Sequence, residues 1–186
     1  IMRKQMRFFS SAELAGMQRK ILQQSEAVIG ELKAILWEMP SILAIQKLKF
    51  ERIAPDGIFG ERLNLVEYLN QTMTYLVCLH AGNAMMKRHG LEAVIINFGT
   101  QPGYDVESTT GDIICECFAA TSVKSNEKLR KDVLRLHKNA AAKERYVYYY
   151  SHGAAMETAY VEKLADQYKD VSLCGVSFDA LISEYP

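Results

Sequence analysis

The chain carries no excess of charge of either sign: 22 Lys and Arg balance 22 Asp and Glu. A globally basic DNA-coating protein is therefore excluded, although a locally basic face is not. Cysteine is sparse, with four residues and no CxxC pair. Cys115 and Cys117 lie two apart on one predicted strand and cannot easily bridge each other, while Cys78 falls in a helix and Cys174 near the C-terminus. Buried, reduced thiols in a reducing compartment are the expectation. His80, His89, His137 and His152 share no metal-ligand spacing, which argues against zinc. No apolar run approaches a membrane span, and the N-terminus has no signal-peptide pattern, so a cytoplasmic location is expected. Internal repeats, low-complexity segments and phosphate-loop patterns are missing.

What is present reads as one domain, or one domain with an appendage: 186 residues, 49% hydrophobic and 24% charged. An apolar stripe of Leu14, Met17, Ile21, Val28, Leu32 and Ile35 predicts a long helix over 10–37, stopped by Pro40. Residues 1–40 are thus expected to form a helical extension ahead of an α/β core over 41–186. Residues 41–60 look irregular, with room for a short strand near 44–50 and a turn at Ala54-Pro-Asp-Gly57. A wide apolar face predicts a buried helix from about Glu61 to His89, ended by Gly90. A strand over Ala93–Phe98 follows. A helix from Ser125 to Lys138, a tyrosine-rich strand at Arg145–Tyr150, a helix over 155–169 and a last strand over 171–178 complete the order.

The most informative segment is Gly103-Tyr104-Asp105-Val106-Glu107-Ser108, a turn, and Ile113-Ile114-Cys115-Glu116-Cys117-Phe118-Ala119. Two apolar runs flank Thr110-Gly111, as a β-hairpin requires. Taken as a two-residue loop, Thr110-Gly111 sets Ser108 opposite Ile113 and Asp105 opposite Glu116. Side chains alternate along a strand, so Asp105, Glu107, Ile114, Glu116 and Phe118 share one face and Val106, Cys115 and Cys117 the other. Opposed residues have β-carbons roughly 5 Å apart. Two carboxylates that close need a proton, a cation or solvent between them, and a hard cation such as Mg²⁺ suits an all-oxygen pair. Acidic residues on an open, solvated hairpin face are the plain alternative.

Asp105, ten residues, then Glu116-Cys117-Phe118 resembles the PD-(D/E)XK nuclease superfamily, which includes many type II restriction endonucleases. The α-β-β-β-α-β order over roughly residues 61–151 resembles that superfamily's core, and Pro102 lies three residues before the Asp. The resemblance implies a restriction-endonuclease-like fold with a central mixed sheet flanked by helices. It also implies Mg²⁺- or Mn²⁺-dependent cleavage of duplex DNA, with Asp105, Glu116 and the backbone carbonyl of Cys117 as metal ligands. Glu107, or Glu67 from the preceding helix, would add another. One departure stands out. The family's Lys, two residues after the Glu, is Phe118 here. Lys128 and Lys124 are the nearest replacements for a cation that positions or activates water. Lys124, Lys128, Lys131 and Arg135 make the densest basic cluster and the expected phosphate-contacting surface. Duplex cleavage would take two sites, hence a homodimer paired through the N-terminal helix. The rival expectation, favoured by Phe118, is a non-catalytic protein on the same fold that binds nucleic acid or protein.

Overall fold

A computed structural model describes residues 4–99, 102–153 and 157–183. In chain order the elements are β1 (Gln5–Phe8), α1 (Ser11–Glu38), α2 (Ser41–Phe50), β2 (Ala54–Pro55), β3 (Arg62–Leu63), α3 (Leu65–His89), β4 (Val94–Asn97) and β5 (Val106–Ser108). Then come β6 (Ile113–Ala120), α4 (Lys128–His137), β7 (Glu144–Ser151), α5 (Thr158–Gln167), β8 (Ser172–Gly175) and α6 (Phe178–Ile182), with a 3₁₀ turn at Ser125–Glu127 leading into α4.

The fold is α/β. Six strands form one mixed sheet in the order β1-β4-β5-β6-β7-β8. Pairing is antiparallel from β1 to β6 and parallel from β6 to β8. The parallel pairs need crossovers, which α4 and α5 supply. β6 is the spine of the sheet. Its sequence, Ile-Ile-Cys-Glu-Cys-Phe-Ala-Ala, is buried over its first six positions, because helices cover both faces.

On one face α3 packs Leu76, Val77, Leu79 and Met85 against Val94, Ile96, Val106, Cys115 and Cys117. On the other, Leu129, Val133 and Leu136 of α4 pack against Ile114, Phe118, Val147 and Tyr149. The two faces of the hairpin are therefore divided as the alternation predicts. α3 starts on a capping box, in which the Asn64 side chain accepts from the Glu67 N–H and the Glu67 carboxylate from the Asn64 N–H. It ends at Gly90, whose φ of 59° is a left-handed conformation that a side chain would strain.

Several expectations are corrected. Residues 41–50 are helix, not irregular chain or strand: no alternation runs through Ser-Ile-Leu-Ala-Ile-Gln-Lys-Leu-Lys-Phe, and Lys47 and Lys49 suit a helix C-terminus. α3 begins at Leu65 rather than Glu61, because Arg62–Leu63 pairs with Ala54–Pro55. The last strand stops at Gly175, and Ser177 caps a short helix in its place. Part of the helix expected over 155–169 lies outside the described residues. The N-terminal segment supplies more than a helix: β1 is an edge strand of the main sheet, and Leu14 and Ile21 of α1 sit in the principal core.

Candidate functional site

The β5–β6 register is Val106↔Cys115 and Glu107↔Ile114, so one further step sets Asp105 opposite Glu116, as the hairpin reading predicts. β5 is only three residues long, and it leaves a β6 amide for other use. The Asp105 Oδ2 atom takes it, accepting from the Cys117 N–H at 2.7 Å. The Asp105 backbone carbonyl accepts from the Asn97 N–H at 2.9 Å. Asp105 is thus pinned on both sides of the strand end.

Glu116 is 1% exposed, in the middle of the central strand. Burial, the neighbouring Asp105 charge and a hydrogen bond to the Asp105 carboxyl push its pKa up to about 9, with Arg135 pulling the other way. At neutral pH the pair therefore keeps a proton. Arg135 Nη1 comes within 2.5 Å of Glu116 Oε1, but without hydrogen-bond alignment. That oxygen has no hydrogen-bond partner among the described residues. Arg135 is held by its other contacts: it donates to the Gly103 carbonyl and lies over the Tyr104 ring, 5.0 Å from its centre.

A third carboxylate joins the pair. Asp132 of α4 is 4% exposed, with Oδ1 on Lys128 Nζ at 2.7 Å and Oδ2 without a partner among the described residues. Burial raises its pKa to about 6, with Lys128 opposing and Asp105 adding to the rise. Burial pulls the Lys128 ammonium down, but Asp132, with Asp105 and Glu116 beyond it, outweighs this and holds it above its ordinary value. Three acids and two cations therefore form one interacting cluster.

The cluster opens onto a cleft of about 570 Å³ lined by Asn70 and Thr74 of α3, Asp105, the β6 end from Cys117 to Thr121, Ser125, Asn126 and Lys128. Asn126 and Glu127 both have positive φ, 51° and 53°. This places the start of α4 at the cleft with no side-chain cap on its first turn. Two adjacent non-glycine residues in that conformation are uncommon, and such strain clusters at functional sites.

The expected site residues divide. Asp105, Glu116, Cys117 and Lys128 come together. Phe118 also reaches the cleft, but its ring is 4% exposed and stacked on Tyr149, centroids 5.7 Å apart. Lys124 is directed away, over the Tyr160 ring at 5.5 Å. Lys131 donates to the Asn126 carbonyl at 2.8 Å, and Arg135 contacts Glu116 rather than solvent alone. Glu107 lies opposite Ile114, toward the hairpin turn, and burial raises its pKa. Glu67 is committed to capping α3.

Asp132, Asn70 and Thr74 are the residues that sequence reasoning missed. Asp132 has a signal: 129, 132, 133 and 136 form one helical stripe, so an acid at 132 falls on the buried face. Among the described residues no three His, Cys, Asp or Glu side chains converge as a ready metal cage. The donors present do fit a hard cation that keeps several waters: two adjacent carboxylates, one holding a proton and an unpartnered oxygen. No protein-family model, curated protein or solved structure matches this chain, so the chemistry of the site rests on its own geometry.

Proposed function

We propose that this chain is a divalent-cation-dependent endonuclease that hydrolyses DNA phosphodiester bonds, on a restriction-endonuclease-like core. The carrying observation is half-buried Asp105 beside buried Glu116, with Asp105 and Lys128 lining one cleft. The run α3-β4-β5-β6-α4-β7, antiparallel then parallel, supports the reading. So does an acid on the central strand that keeps its proton without a cation.

Asp105 and Glu116, with the Cys117 backbone carbonyl, would hold Mg²⁺ or Mn²⁺. A cation there supplies Lewis acidity toward a phosphate oxygen and acidity to a bound water. Lys128 stands in for the family lysine, stabilising charge on the phosphate. Asp132 positions Lys128 by an ion pair within one helical turn. Arg135, beside Glu116, limits the rise of its pKa and would be free to turn toward phosphate if a cation took up the Glu116 carboxylate. The pairing surface of a homodimer would be the α1–α2 corner, where Leu36, Trp37, Ile42, Ile45 and Phe50 are exposed. Four free cysteines suit a reducing, cytoplasmic setting.

Plasmid DNA incubated with the chain and Mg²⁺ or Mn²⁺ tests the reading. The expected result is nicking that stops with EDTA and is lost in Asp105→Ala. Absence of cation-dependent cleavage on every DNA form would overturn it. The second reading, a non-catalytic nucleic-acid- or protein-binding module, is favoured by Phe118 in the lysine position and by Arg135 already countering Glu116.

A further inference from the structure

The cleft does not end at the β6 terminus. A second, mostly apolar groove of about 220 Å³ shares Asn70, Ala119, Ala120 and Thr121 with it. It continues over the carboxyl ends of β6 and β7 to Leu69, Met73, Tyr150 and His152. Leu69 is half exposed and unburdened by any core role. Tyr150 is held at the groove by Phe178, ring centres 6.0 Å apart. Polar residues at one end and a mostly apolar groove at the other are joined by a single strand end.

We infer that this groove receives one unstacked nucleobase of the DNA strand whose phosphate occupies the Asp105–Lys128 cleft. The inference rests on the proposed nuclease reading and gives it a preference for single strands, gaps or flaps over intact duplex. Size supports one base: the groove is smaller than the roughly 300–1,000 Å³ of pockets that enclose drug-sized ligands. Chemistry supports a base over an aliphatic group. An aromatic ring, a thioether and an imidazole give polarizable stacking partners for a π-face, tolerant of sequence. Continuity supports a nucleotide: a ligand with an anionic centre beside Lys128 and a flat apolar unit one step along its chain matches both ends at once. A base stacked inside an intact duplex cannot enter such a slot unless it is first turned out, which costs unpairing energy.

The test compares a fluorescein-labelled single strand, its duplex, and the same strand carrying one abasic residue, with the full chain in Mn²⁺. Anisotropy gives affinity and gel analysis gives cleavage; the groove variants are Leu69→Ala and Met73→Gln, with melting curves to establish folding. The expected result is faster cleavage of single strand than duplex, about tenfold weaker single-strand binding in both folded variants, and a similar loss on the abasic strand opposite the groove. Duplex cut as fast as single strand, with Asp105-dependent cleavage indifferent to both variants, overturns the inference and leaves the nuclease reading standing. Single-strand binding that drops in both variants while no DNA form is cleaved supports the groove and removes the nuclease reading instead.

Discussion

At the scale of single residues, the site is a problem of too many acids in too little water. An unfolded glutamate loses its proton near 4.5, whereas folded Glu116 keeps it to about 9. Between those values the folded chain binds more protons than the unfolded one, so stability falls as pH rises. Asp132, raised to about 6, adds to the fall over the lower part of that window. The metal-free melting temperature should therefore decline from pH 5 to pH 9. Glu116→Gln should flatten the decline and raise the value at pH 8; a parallel curve in the variant would contradict the assignment. Lys128 raises a different question, because removing it also strips Asp132 of its partner. Lys128→Ala should lower turnover by roughly 10²–10³-fold, the effect of losing one transition-state donor. The same loss should appear in Lys128→Ala with Asp132→Asn, where the orphaned charge is gone. Lys124→Ala should leave turnover intact, since Lys124 sits over Tyr160. Full cleavage in the Lys128 variants would transfer the role elsewhere. On the proposed nuclease reading the cation must come from another residue, because position 118 holds a core phenylalanine. Its ring fills the core between the sheet and α4, so Phe118→Lys should cost on the order of 3 kcal/mol, as large core truncations do. A melting temperature unchanged by that substitution would count against this account of the position.

At the scale of elements, what could be read from the sequence depended on whether the signal was local. The hairpin was legible to the residue, because the turn, the alternation and the apolar runs all lie within 103–119, and the structure keeps that register. The long helices were legible from their stripes. β1 was not, since Gln5–Phe8 earns its place only by pairing with Val94–Asn97, some ninety residues away. α2 was not, because its apolar residues are spread around the helix and offer no period to read. The candidate site was legible in its two strand acids and in Lys128. Asp132 escaped because a charge in a basic helix invites a solvated reading. α4 carries its own test. Its cations are already engaged, Lys131 with the Asn126 carbonyl and Arg130 with Glu127 at 3.4 Å, so the basic face is organised around the start of the helix. Reversing Lys128 and Lys131 to Glu should weaken DNA binding and flatten its salt dependence, because each lost phosphate contact removes a released counterion. Titrations at several salt concentrations measure this, and an unchanged slope would make α4 a solvated face only.

At the scale of the whole molecule, the sheet divides labour. The α3 face and the α4 face hold separate cores, and the site lies where β6 ends between them. Away from it, Trp37 is 92% exposed, amid Leu36, Ile42, Ile45 and Phe50. Clusters of this kind mark interaction surfaces. If the surface pairs two copies, light scattering should find a dimer that Trp37→Glu with Phe50→Glu converts to monomer, with the melting curve intact; a monomeric parent would rule that out. The central claim, that Asp105 and Glu116 form a cation site, is tested most directly by the proton balance of binding. Calorimetric titration of Mn²⁺ at pH 7.5, repeated in buffers of different ionisation enthalpy, counts protons released per ion. The pair keeps a proton that a bound cation must displace. The account expects release of about one proton per ion in the parent, little release with weakened binding in Glu116→Gln, and no binding in Asp105→Ala. Absence of Mn²⁺ binding to the parent, or binding with no proton released, would contradict it.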